Sequence, residues 1–504
     1  MDTSSDDRLT LLSGTGQNVA GLVVYVLASF AANVLIFRGF GAGGAAALGL
    51  VTLATQLAFI AGAGTRFGMD MAAVRQVAIE SGRGEVGRSR GIVRRAFGIA
   101  AAASVAVAAA LFLLAGPLAD AFAPGHVDAT TRALRAAALA LPFVALCQVY
   151  LGGTRGLKLM RPTLYVYWAG QPLAWIALTL TFWSVDKSIA STVAAYAGSW
   201  ALATAAAWFL WRRETSGFAE VPTEAGETGR LFRYGLPRAP AALLSQLLFW
   251  TDYFVLAHYT NAAADLGVYA AAVRVAQALV LFLTAVSYMF SPFVADLHAR
   301  GERDRLNDLY KELSRWTVAA TIPILITLAV ASESVLQVFG RTAAGGSTAL
   351  RILLIGQVVN VAVGAAGFVL IMVGRTGWDL LVYVGSFLLD LAIAVLLVPH
   401  LGLRGAAIAQ ATTLVVSNAV RLLLVWRFAR IQPFDRRYFR LILPGVVAGL
   451  AAVAAHVLLR DASWPVDLVG TAVAGTAVYA GLLLAAGMTP DERSAAFRVL
   501  GRLR

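Results

Sequence analysis

The chain is short of nearly everything that soluble catalysis and redox chemistry draw on. One cysteine, Cys147, stands among 504 residues, so no intramolecular disulfide can form, and its apolar flank FVALCQVY favours a buried, inert thiol. The five histidines (His126, His258, His298, His400 and His456) are scattered without metal-ligand spacing, which leaves a zinc site unsupported. No Walker loop is present, so ATP is not expected to power the protein. The run GFGAGG at Gly39–Gly44 matches a dinucleotide fingerprint only by letter, because it is a turn between two apolar runs with no strand before it. Charge is scarce too, at 14% against 59% hydrophobic residues, and a mean hydropathy of +0.73 is too high for a soluble globule. Acid is scarcer than base, giving a formal charge of +13. The basic residues sit mainly in short loops between apolar runs, as topology signals and anionic-lipid contacts do, and not as a nucleic-acid patch. The N-terminal tail holds Asp2, Asp6, Asp7 and only Arg8, the wrong charge for a signal peptide, so the first apolar run is expected to remain.

What the chain has in quantity is apolar runs of spanning length. Fourteen are predicted, near 17–37, 44–64, 92–115, 133–153, 163–183, 189–211, 235–258, 267–292, 316–339, 348–373, 377–398, 405–427, 440–459 and 465–487. Outer segments hold only Arg38, Arg132, Arg135, Lys187, Arg341, Arg351, Arg404 and Arg460, and the bulk of Lys and Arg alternates onto the other side, which predicts cytoplasmic termini. The stretch RRETSGFAEVPTEAGETGR reads as a flexible linker between six spans and eight. The expected organisation is a cytoplasmic tail (1–16), a first lobe (17–211), the linker (212–234), a second lobe (235–427), two further helices (428–487) and a tail (488–504). Six being even, the lobes would enter the membrane in the same direction, as parallel pseudo-twofold repeats. A faint echo between AALGLVTLATQLA and ADLGVYAAAVRVAQA agrees, with chance similarity as its alternative. The fold class is therefore all-α, a polytopic membrane protein.

Ionisable groups at membrane depth are costly and default to function. Asp252 lies near the outer end of the seventh span and Arg274 near the outer start of the eighth, both about 10 Å deep, so they can pair. Asp390 in the eleventh span is slightly deeper, and Ser386 and Gln410 could add oxygen ligands. One reading is a structural ion pair beside a protonated aspartate; the other is a cation or proton site. Arg238 and Arg421 either snorkel to the interface or, with Arg66 and Arg75 at its mouth, line a cavity for an anionic headgroup, and Arg38 and Arg351 could do the same from the outer face.

The stretches YGLPRAPAALLSQLLFWTDYFVLAHYTNAAADLGVYAAAVRVAQ, SPFVADLHARGERDRLNDLYKELSRW, VFGRTAAGGSTALRILLIGQVVN and LLDLAIAVLLVPHLGLRGAAIAQATT resemble the polysaccharide flippases (Wzx-like) of the multidrug/oligosaccharidyl-lipid/polysaccharide (MOP) exporter superfamily. The resemblance implies two six-helix lobes around a central cavity, alternating access, and export of undecaprenyl-diphosphate-linked glycans, with no catalytic residues. The two extra C-terminal helices look like those forming a lipid-tail groove in the related lipid II flippases. It further implies a sodium or proton site at Asp252, Asp390 and Gln410, although Ser386 stands where relatives carry an amide. Expected partners are the lipid-linked oligosaccharide, membrane lipids, a polysaccharide polymerase and glycosyltransferases. A lipid II flippase, an ion-coupled drug or metabolite antiporter of the same superfamily and a non-transporting scaffold are the competing readings.

Overall fold

A computed structural model describes residues 21, 23–82, 86–219, 221, 226–236, 238–260 and 262–487. All regular structure among the described residues is helical. Ten of these helices are long and apolar enough to cross a membrane: Gly41–Thr65, Arg88–Leu113, Pro124–Gly156, Ile189–Thr215, Arg303–Val330, Arg341–Val363, Thr376–Leu401, Leu403–Ala429, Arg436–Leu459 and Trp464–Ala485. Each overlies one of the predicted runs.

The other four runs have particular local structures. The first begins outside the described residues, and its described part is the shorter apolar helix Val23–Gly39. The fifth opens as a widened π-helical stretch, Thr163–Gly170, before the α-helix Gln171–Trp183. Pro172 lies at that junction, and without an N–H it cannot continue the ordinary ladder. The seventh is two helices, Arg238–Leu247 and Thr251–Tyr259, separated by a turn. The Leu247 carbonyl at the break accepts from Trp250 N at 2.9 Å and from Thr251 Oγ1 at 2.7 Å, so the turn leaves it satisfied. The eighth is interrupted by a tight turn at Gln277–Leu279, between Ala263–Ala276 and Val280–Ala299. Part of the stretch read as linker is also helical: Glu227–Gly235 places Leu231 in a core with Met69, Ala73 and Trp211.

The chain divides into two compact units, Met1–Ala270 with Tyr383–Ala409, and Ala271–Val382 with Gln410–Arg504. In the first, the helix Val127–Gly156 is the common neighbour of Ile189–Thr215, Arg88–Leu113, Met69–Gly82 and Gly44–Thr65. Its Ala137, Leu141, Ala145, Val149 and Leu151 are completely buried, while Arg132, Arg135, Leu139 and Phe143 keep one face exposed. Elsewhere in this unit Gly44–Thr65 crosses Ala263–Ala276 at backbone contact. A Cβ on Gly49 would lie 2.5 Å from the Ala263 carbonyl oxygen, and one on Gly267 only 1.7 Å from that of Ala45. Small residues at a crossing are how membrane helices gain close packing without a hydrophobic driving force. These two glycines are the LG positions of the sequence echo, so its two copies touch.

In the second unit Phe290 stacks on Tyr310 at 5.9 Å, and Tyr310 donates to the Val363 carbonyl at 2.7 Å, where Gly364 (φ +70) ends the helix Ser347–Val363. The C-terminal helices Ile442–Leu459 and Trp464–Leu482 pack on each other and on Arg303–Val330, around Ile326, Ala448, Ala452 and Tyr479.

Candidate functional site

The break in the seventh run has a chemical consequence. It starts a new helix at membrane depth and puts Asp252 in its first turn, where free backbone N–H groups and the helix dipole favour an anion. Asp252 is completely buried. Its Oδ2 accepts a hydrogen bond from the Tyr269 hydroxyl, while Oδ1 has no hydrogen-bond partner among the described residues. Tyr269 is held in turn: its ring stacks on Tyr253 at 6.4 Å, and the Tyr253 hydroxyl donates to the Gly49 carbonyl at 2.6 Å, at the glycine crossing. Asp390, also completely buried, comes within electrostatic reach of Tyr269. One compact unit therefore assembles Asp252, Tyr269 and Asp390, with buried Ser386 one turn before Asp390. Gln410 is buried at the start of the second unit, and Arg274 is half-buried in that unit.

Sequence reasoning missed Tyr269 because it misplaced a helix end. The helix begins at Ala263, four residues before the predicted start, so Tyr269 is six residues in and Asp252 seven from the end of its own helix at Tyr259. At 1.5 Å per residue both lie about 10 Å along, whereas Arg274 is eleven residues in, about 16 Å. The available signal was a lone phenol among small residues in DLGVYAAAV.

The expected cationic residues fall into separate places. Arg66 caps the helix Gly44–Thr65, pairs with Asp70 at 3.4 Å, and has a buried Nε without a hydrogen-bond partner among the described residues. Arg75, on the next helix, Met69–Gly82, lies 4.9 Å over the Tyr234 ring. Arg38 is exposed at the opposite end of Gly44–Thr65, whose 22 residues span about 33 Å. Arg238 opens the helix Arg238–Leu247, and its side chain lies outside the described set. Arg351 is exposed and donates to the Ala329 carbonyl at 3.3 Å. Arg421 is buried against Asp379, with Nε 3.6 Å from Oδ1, a partner the sequence did not suggest.

Two buried acids, one of them on a broken apolar run, with ten spanning segments among the described residues, describe a multi-pass membrane protein with a polar site at depth. Residues 10–298, more than half of the chain, match the polysaccharide biosynthesis protein family. The chain belongs to that family. Residues 237–396 also match the MatE family, and no curated protein matches the chain. Among solved structures it is similar to the lipid II flippase MurJ in an inward closed conformation, at 13% identity and TM-score 0.72, over 92% of this chain and 97% of that one. It is similar to an inward-facing multidrug resistance MATE family transporter of the MOP superfamily, at 14% identity and TM-score 0.69, over 81% and 95%. A third similar structure is a MOP superfamily transporter from Pyrococcus furiosus Vc1, described as having a binding pocket of reversed polarity, at 15% identity and TM-score 0.59, over 84% and 95%. Family and fold together make this polysaccharide-family protein a MOP-superfamily transporter or flippase, not a catalytic enzyme.

Proposed function

We propose that the protein flips undecaprenyl-diphosphate-linked oligosaccharide units across the cytoplasmic (inner) membrane by alternating access, with both termini cytoplasmic, for cell-surface polysaccharide assembly. The observation that carries this reading is the match to the polysaccharide biosynthesis protein family over residues 10–298. Similarity in fold to a lipid II flippase over 92% of the chain is consistent with a lipid-linked substrate. A polysaccharide polymerase and glycosyltransferases would then act before and after it.

In this reading arginines receive the diphosphate. Arg66 has a single 3.4 Å contact to Asp70 and an unsatisfied Nε, so a substrate phosphate gives it a stronger, bidentate partner. Arg75 offers N–H groups from its place on Tyr234. Arg38 and Arg238 of the same unit are the further proposed cationic residues, and Arg274 is the one proposed in the second unit. Coupling falls to Asp252 and Asp390 of the first unit; Gln410, expected from the sequence as a further ligand, belongs to the second. Carboxylates and a phenol are hard oxygen donors that suit Na+ or a proton and offer nothing to a soft metal. The orphaned Oδ1 of buried Asp252 fits such a guest. An ion that binds one conformation more tightly shifts the balance between inward-open and outward-open forms, and a ten-fold preference supplies about 1.4 kcal/mol.

The test is reconstitution of the purified protein into liposomes with a fluorescent undecaprenyl-diphosphate-linked oligosaccharide, scored by its accessibility to an external glycosidase. Protein-dependent flipping that falls at least ten-fold in Arg66→Ala is expected. Export of a cationic drug with no glycan flipping would replace this reading with the antiporter one.

A further inference from the structure

The helix Leu403–Ala429 carries an apolar stripe of exposed residues, Val416, Val420, Leu423 and Trp426, at three- and four-residue spacing along about 15 Å. A lipid-facing helix has no need of a concave end. This one ends in a cavity of about 420 Å³ lined by Ala419, Leu422, Leu423, Trp426, Gln432 and Phe434, because the chain turns back to build a second wall.

That turn is held in an unusual conformation by specific bonds. Arg430 has φ +57, in the left-handed region that non-glycine residues seldom adopt and that tends to persist only where the surroundings enforce it. Its carbonyl accepts from both Nη2 (2.8 Å) and Nε (3.3 Å) of Arg303, and Gln432 N donates to Asn307 Oδ1 at 3.0 Å. Further on, Asp435 Oδ1 caps Tyr438 N at 2.7 Å, and the Tyr438 hydroxyl donates to the Ala362 carbonyl at 3.0 Å. Within this geometry the Arg430 guanidinium lies 5.3 Å over the Trp426 indole, a cation fixed at the mouth of an apolar cleft. Arg427 is exposed beside it, and exposed Arg436, Arg437 and Arg440 follow. The acid in this segment, Asp435, is engaged in its cap.

We propose that this cleft binds one anionic phospholipid of the leaflet facing the 427–440 loop, its phosphate on Arg430 and Arg427 and its acyl chain along the stripe. Charge decides the class: five arginines attract a net negative headgroup and oppose the ammonium of a zwitterionic one. An apolar stripe of about 15 Å matches an acyl chain and has no use for free phosphate. The proposal needs only that the protein spans a membrane, and it stands whichever substrate is transported.

The experiment is native mass spectrometry of the full-length protein in detergent, titrated with phosphatidylglycerol or phosphatidylcholine. Wild type should bind phosphatidylglycerol in preference. Arg430→Gly suits the left-handed backbone, so it removes the cation while leaving the turn intact, and should weaken phosphatidylglycerol binding about ten-fold. Arg430→Lys should lose less. Leu423→Trp fills the cleft without touching the turn and should weaken binding as well. Equal binding of the two lipids, or unchanged phosphatidylglycerol binding in both Arg430→Gly and Leu423→Trp, would overturn the proposal. So would inorganic phosphate that displaces the lipid as effectively as short-chain phosphatidylglycerol does.

Discussion

Each compact unit buries acids, and one from each, Asp252 and Asp379, keep different company. In the second unit Asp379 meets the Arg421 guanidinium at 3.6 Å, both side chains about nine-tenths buried. In the first, Asp252 has a phenol from Tyr269 and a second acid, Asp390, in the same neighbourhood; Oδ1 of Asp252 and Oδ1 of Asp379 both have no hydrogen-bond partner among the described residues. The Asp379 site contains its own counter-charge; the hydrogen-bond partner of Asp252 is a neutral phenol. A permanent cation suits a structural strut, whereas a hydroxyl and a second carboxylate are what the proposed ion site would require. On the proposed reading the same residue type at similar burial does two jobs, and the partner decides which.

The comparison breaks most visibly at the strut. Arg421→Ala leaves Asp379 buried without its cation and should cost about 3–5 kcal/mol, read as a large fall in the thermal unfolding temperature in detergent, with Arg421→Met/Asp379→Leu recovering most of it. Next is the crossing that holds Tyr269 through Tyr253 and Gly49: Gly267→Val drives a side chain into the Ala45 backbone and should lower stability by about 3 kcal/mol. Tyr269→Phe removes one hydroxyl and should cost about 1 kcal/mol in unfolding, with a weaker response of transport to an ion gradient. The smallest effect on stability belongs to Asp252→Asn, within about 0.5 kcal/mol, because the amide still accepts from Tyr269 and needs no counter-charge. A collapse of Asp252→Asn comparable to that of Arg421→Ala would make both acids struts.

Much of this was legible in the chain. Apolar runs identified ten of the spanning helices, since the length of a span and its lack of charge follow from the bilayer alone. Asp252 and Asp390 stood out for the same reason. The breaks at 248–250 and 277–279 did not, because hydropathy is blind to a turn whose side chains stay apolar. Tyr269 escaped because a four-residue error in one helix start put Arg274 at the apparent depth of Asp252. Arg421 showed its charge in the sequence but not its partner, since Asp379 lies 42 residues away on another helix. The turn at Arg430 left no trace, as nothing in WRFARIQPF announces a left-handed arginine.

The proposed coupling role of the first site is tested most directly by flipping of an undecaprenyl-diphosphate-linked oligosaccharide in proteoliposomes, with and without an imposed Na+ or proton gradient, comparing wild type with Asp390→Asn. Gradient-stimulated flipping in wild type that falls to the ungraded rate in Asp390→Asn, at equal protein and equal unfolding temperature, is the expected result; stimulation undiminished in Asp390→Asn would contradict it and leave the aspartate a structural residue.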